Sequence, residues 1–124
     1  MANNRPLSPH LQIYKLPLTG LISITHRITG IFLTLGLISV LWLISQVKSG
    51  MLDYLAMQTL LQTLPARLLL VGFIFALMFH LCHGLRHLLW DFGHSFAREN
   101  LTRYAQIELG LTLILTAITL AVLL

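Results

Sequence analysis

The chain has 124 residues, of which 56% are hydrophobic and only 10% charged, with a mean hydropathy of +0.82. A soluble domain carries about 25% charged residues, so this composition excludes an ordinary water-soluble globule and points to the membrane. The formal charge of +4 is spread along the chain, which argues against nucleic-acid binding, and a single cysteine, Cys82, excludes an intrachain disulfide and any multi-thiolate metal centre.

Residues 1–20 differ in kind from the rest of the chain. Pro6, Pro9 and Pro17 block a continuous helix, while Leu7, Leu11, Ile13, Tyr14 and Leu16 supply scattered apolar contacts. A tail this apolar is expected to lie against a partner at the cytoplasmic surface; a frayed terminus is the plain alternative. The pattern then predicts an all-α membrane protein in which residues 21–124 form a three-helix anchor, with spans at about 21–46, 65–91 and 104–124. Residues 28–45 are eighteen without a charge, close to the roughly 20 that cross a bilayer. No signal-peptide cleavage pattern is present, so the first span is expected to be retained. The 46–64 stretch is read as a loop facing outward with no chemistry of its own. Pro65 suits the first turn of the second span, where its missing N–H would be unpaired anyway. The third span has its charge-free part at residues 109–124.

Orientation follows from the cations. Arg5, Lys15, Arg27, Arg86, Arg98 and Arg103 fall on the side of the N-terminus, against Lys48 and Arg67 on the other. The positive-inside rule therefore places the N-terminus in the cytoplasm and the C-terminus outside.

Two clusters carry chemistry. Twelve uncharged residues, 68–79, lead into His80, His83, Gly84, Arg86, His87 and Asp91. Ionisable groups are costly inside a bilayer, so their presence calls for a ligand, an ion or a partner. His80, His83, Gly84, His87 and Asp91 stand at offsets 0, 3, 4, 7 and 11, one helical face. A histidine with a glycine one turn later suits a flat macrocycle: the nitrogen reaches the metal and the missing side chain leaves room. Haem iron in electron transfer usually takes two axial ligands. His26 is the sole other histidine near a span and lies by its end, so a sixth ligand is expected from another subunit. His87, about 10 Å along the helix from His80, is placed to meet a propionate, with Arg86 or Arg27 supplying positive charge. A hydrogen bond to a neighbouring helix is the simpler explanation of any one of these histidines. The second cluster is Ser23, His26 and Arg27, at offsets 0, 3 and 4 near the start of the first span. Hydroxyl, imidazole and guanidinium together suit a quinone, whose oxygen becomes negative and then protonated. An arginine at a span end also commonly snorkels to lipid headgroups.

Three segments together resemble the cytochrome b556 membrane-anchor family of succinate dehydrogenase (succinate:quinone oxidoreductase, respiratory complex II). They are Arg5-Pro6-Leu7-Ser8-Pro9-His10-Leu11-Gln12-Ile13-Tyr14, Ser23-Ile24-Thr25-His26-Arg27-Ile28-Thr29-Gly30, and His80 through Gly84-Leu85-Arg86-His87 to Asp91. The resemblance implies a multi-pass anchor in the bacterial inner (cytoplasmic) membrane that has no catalytic residue of its own. It implies a flavoprotein carrying FAD, an iron–sulfur subunit holding the clusters, and a second small anchor that shares a b-type haem with this chain. It implies His80, four residues before the motif glycine, as the axial ligand to the haem iron, and His87 near a propionate. Ser23 and Arg27 match positions lining the ubiquinone site, with His26 between them in sequence. His83 and Arg86 belong to the haem vicinity; His83 stands outside the motif and adds a second possible ligand one turn away. An anchor of a fumarate reductase and a haem-free structural anchor are the competing expectations, the latter separable by the absence of a b-type band in reduced-minus-oxidised spectra.

Overall fold

The computed structural model describes residues 15–94 and 97–123. Among these the fold is entirely helical: α1 (Leu18–Ser49), α2 (Met51–Leu61), α3 (Leu64–Asp91) and α4 (Leu101–Leu123), with a 3₁₀ turn at Arg98–Asn100 leading into α4. Three helices are long and apolar enough to cross a membrane: α1, α3, and α4 with its preceding turn. The expected all-α, three-span architecture is therefore what forms. The apolar tail falls mostly outside the described residues.

Pro17 stands just before α1 in an extended conformation, and its carbonyl accepts from Gly20 N at 2.9 Å and Leu21 N at 3.1 Å. At 1.5 Å per residue the 32 residues of α1 reach about 48 Å, well beyond a hydrocarbon core of about 30 Å. Gly50, at φ 133°, ends the helix in a conformation that costs other residues dearly. The chain re-enters helix at once, so most of the 46–64 stretch expected as a loop is α2 instead. Tyr54 and Met57, three residues apart on one side of this helix, are half-buried and buried. α3 closes on Gly93 (φ 80°), with His94 N bonded to Leu89 O at 2.9 Å and Gly93 N to Trp90 O at 2.8 Å. That pair of bonds is the Schellman arrangement, which satisfies carbonyls the helix end would leave open.

α3 packs against both α1 and α4 and is the most buried of the three long helices. Ile22, Phe79 and Ala105 form the core where all three meet, with Leu18 and Leu109 around them. Elsewhere large apolar side chains face outward, among them Ile31, Leu35, Leu68, Leu113 and Val122. Such a surface is solvated by lipid or partner helices, so contact between helices rests on close packing and polar links rather than on water exclusion. Gly36 shows the first: a methyl carbon there would stand 1.8 Å from the Phe73 ring, so α1 meets that ring through bare backbone. Small or hydroxylated residues do the same on α3 and α4, where Ala76, Ala105, Thr112 and Thr116 are buried.

Candidate cofactor site

The polar links concentrate where α1 crosses α3. Thr29, buried on α1, donates its hydroxyl to the His26 carbonyl one turn back at 2.8 Å. His80 Nδ1 approaches both that carbonyl and Thr29 Oγ1 at 3.2 Å. A carbonyl only accepts, so the favourable tautomer carries its proton on Nδ1. Nε2 is then left with the lone pair, as iron ligation by imidazole requires. Gly30 makes the approach possible: a Cβ there would lie 3.2 Å from His80 Cε1. The His26 ring stacks on His80 with centroids 3.9 Å apart and planes 15° apart.

Further along α3 the histidines converge. His83 lies 4.7 Å from the His26 ring and 4.8 Å from His87, centroid to centroid. One ligating nitrogen from each of His26, His83 and His87 falls within 4.8 Å of the others. Among the described residues, the buried Nε2 atoms of His26 and His83 have no hydrogen-bond partner. His87 is itself exposed and packs edge-on to Trp90 at 4.9 Å. Beside them Gly84 is half-buried, and a Cβ there would touch nothing within 4 Å.

His83 and Arg86 face the other way, toward α4. Glu108, buried in that helix, accepts from His83 Nδ1 at 2.7 Å and from an Arg86 terminal nitrogen at 2.9 Å. The other Arg86 terminal nitrogen donates to the Leu101 carbonyl at 3.2 Å, and the guanidinium carbon sits 4.9 Å from the Trp90 ring centre. Sequence spacing offers Arg86 to a propionate; the structure engages its guanidinium with Glu108 and α4. His83 is only 2% exposed, whereas His80 is half-buried. Ser23 is half-buried and Arg27 exposed on α1, and among the described residues no carboxylate pairs with Arg27. Asp91 is exposed at the end of α3. Sequence reasoning missed the roles of Thr29 and Glu108. Glu108 had a signal, a carboxylate inside an apolar span; Thr29 had none, since hydroxyls are common in such helices.

Three spans and an imidazole cluster held between two of them define a polytopic membrane subunit whose chemistry sits between helices. The match to known proteins narrows this. Residues 1–119 fit the model of the succinate dehydrogenase/fumarate reductase transmembrane subunit, and the chain belongs to that family. It is 34% identical over 119 residues to the succinate dehydrogenase cytochrome b556 subunit of Paracoccus denitrificans, covering 96% of this chain and 92% of that one. Against the cytochrome b560 subunit of Reclinomonas americana the identity is 41% over 120 residues, covering 93% and 83%. The cytochrome b556 subunit of Rickettsia typhi is 42% identical over 96 residues, covering 77% and 73%. The chain is thus a membrane-anchor subunit of the succinate dehydrogenase type, and the resemblance seen in its motifs holds over nearly its whole length.

Proposed function

We propose that the chain anchors a succinate:ubiquinone oxidoreductase in the bacterial inner membrane, N-terminus in the cytoplasm, and binds a b-type haem jointly with a second small anchor. The observation that carries this is His80: one nitrogen committed to α1, the other left for iron. The residues present fit such a group. Gly84 leaves open space one turn on, and the exposed His87 lies on the same face for an acidic haem edge. When bound, haem supplies a one-electron store within the membrane.

This chain's own residues then have separable tasks. His80 fixes the haem through an imidazole held by Thr29 and the His26 carbonyl. His87 and Arg27 stand to meet the propionates, and Arg86 and His83 lie behind them on the α4 side. Ser23 and Arg27, with His26, receive ubiquinone: the hydroxyl donates to a quinone oxygen and the guanidinium balances charge as that oxygen gains electrons. FAD and the iron–sulfur clusters belong to the soluble flavoprotein and iron–sulfur subunits, which the 1–20 segment helps to hold. Succinate oxidation is the direction carried by the relatives' names.

Reduced-minus-oxidised spectra of membranes carrying variants of the assembled complex test the haem. His80→Ala should abolish or strongly perturb the b-type band, and His83→Ala should leave bis-histidine features largely intact. The reverse result would transfer the ligand role to His83, and a wild-type complex with no b-type band would leave only the anchor.

A further inference from the structure

A carboxylate buried inside a membrane-spanning helix needs a reason. Glu108 is 6% exposed, His83 2% and Arg86 6%, and the three make two bonds of 2.7 and 2.9 Å across α3 and α4. Stability alone does not supply the reason, because replacing a buried ion pair by apolar residues of similar size is often neutral or stabilising. Its location is more informative. Both partners lie on α3 between His80 and His87. From His83 the contact runs through the His26 ring at 4.7 Å to His80 at 3.9 Å. The carboxylate also decides how His83 is presented. Because Glu108 accepts, the proton stays on Nδ1, and the buried Nε2 keeps a lone pair while the His83 ring packs against those of His26 and His87.

We infer that Glu108 is a charge-setting residue for the haem, which rests on the proposed haem binding. It orients His83, and it offsets the Arg86 charge beside the haem-bearing face of α3. Oxidised haem carries one more positive charge than reduced haem, so a fixed anion nearby favours the oxidised form and a fixed cation the reduced form. The Arg86–Glu108 pair holds these two influences in balance.

The test is a redox titration of the haem in the purified complex. Glu108→Gln keeps the side chain's size and can still bond His83, yet leaves Arg86 without a countercharge; the midpoint potential should rise. Arg86→Gln keeps the Glu108–His83 bond and should lower it. Each single variant should alter the reduced-to-oxidised ratio at fixed potential severalfold, in opposite directions. The double variant removes both charges and should return close to the wild type. If Glu108→Gln does not assemble, Arg86→Gln carries the test with the opposite sign. A haem band with normal potentials in every variant, or shifts of the same sign in both single variants, would overturn the inference and leave a merely structural pair. A wild-type complex without the band would instead overturn the haem binding on which it stands.

Discussion

The hold of α1 on His80 can be tested through a single hydroxyl. Thr29→Val is nearly isosteric, and it removes one of the two acceptors within 3.2 Å of His80 Nδ1. It also removes the Thr29 bond to the His26 carbonyl, which leaves nothing orphaned, because that carbonyl still accepts from His80. The cost is therefore that of one neutral hydrogen bond, about 0.5–1.5 kcal/mol, without the penalty of a buried unsatisfied group. At about 1.4 kcal/mol per decade this amounts to a haem affinity roughly two- to twelvefold weaker. It sits at or below the low end of the 10–100-fold usual for groups that orient metal ligands, since the His26 carbonyl remains. The assay is the rate of haem transfer from detergent-solubilised complex to an excess of apo-acceptor protein, followed in the Soret band. Thr29→Ser keeps the hydroxyl and should match the wild type. If the serine variant loses haem as fast as the valine variant, the methyl packing and not the hydrogen bond is at work. If neither differs from wild type, the tautomer argument fails.

Other parts of the molecule have consequences of their own. At an effective dielectric near 20 a charge pair about 4 Å apart is worth roughly 4 kcal/mol, so Arg27→Leu should slow quinone reduction by up to about three decades. Ser23→Ala should cost less, about 1.5–3 kcal/mol, as for a hydrogen bond to a charged group. Both variants should keep succinate oxidation with an acceptor that draws electrons before the membrane; a parallel fall in both assays would mean a role in assembly. Gly36→Leu drives a side chain into the Phe73 ring, where even a Cβ would stand at 1.8 Å, and should lower the thermal midpoint of the complex by the equivalent of about 1–3 kcal/mol, with partial recovery in Gly36→Leu/Phe73→Ala. An unchanged midpoint would show that α1 and α3 separate there at little cost. Deleting residues 1–16 should release the soluble subunits from membranes, as measured by succinate oxidation in the supernatant after sedimentation; full membrane-bound activity would rule out docking by that segment.

The membrane class and the three spans are legible in the chain without coordinates, as is the shared direction of His80, Gly84 and His87, whereas His83, which spacing counts with them, turns to Glu108 on α4. Each of these rests on hydropathy or on 3.6-residue periodicity, which are properties of neighbours along the chain. Helix limits are less legible. Hydropathy puts the first span at about 21–46, with its helix starting near residues 18–23, and the third at about 104–124; the helices run over Leu18–Ser49 and from Leu101, because a charged or polar turn continues a helix once its core is packed. The 46–64 stretch is too short to register as a span, and its turn signals, Gly50 and Pro65, bracket α2 rather than exclude it. Packing alone settles how each helix is rotated about its axis. Two residues on one face share a direction whatever the packing, so His80, Gly84 and His87 are visible together in the sequence. Thr29 meets His80 across 51 residues, and Glu108 meets His83 across 25, only because α1 and α4 turn those faces toward α3. That rotation is set by small residues such as Gly30 and Gly36 admitting neighbours from other helices, and no local pattern in the chain encodes which neighbour will be admitted.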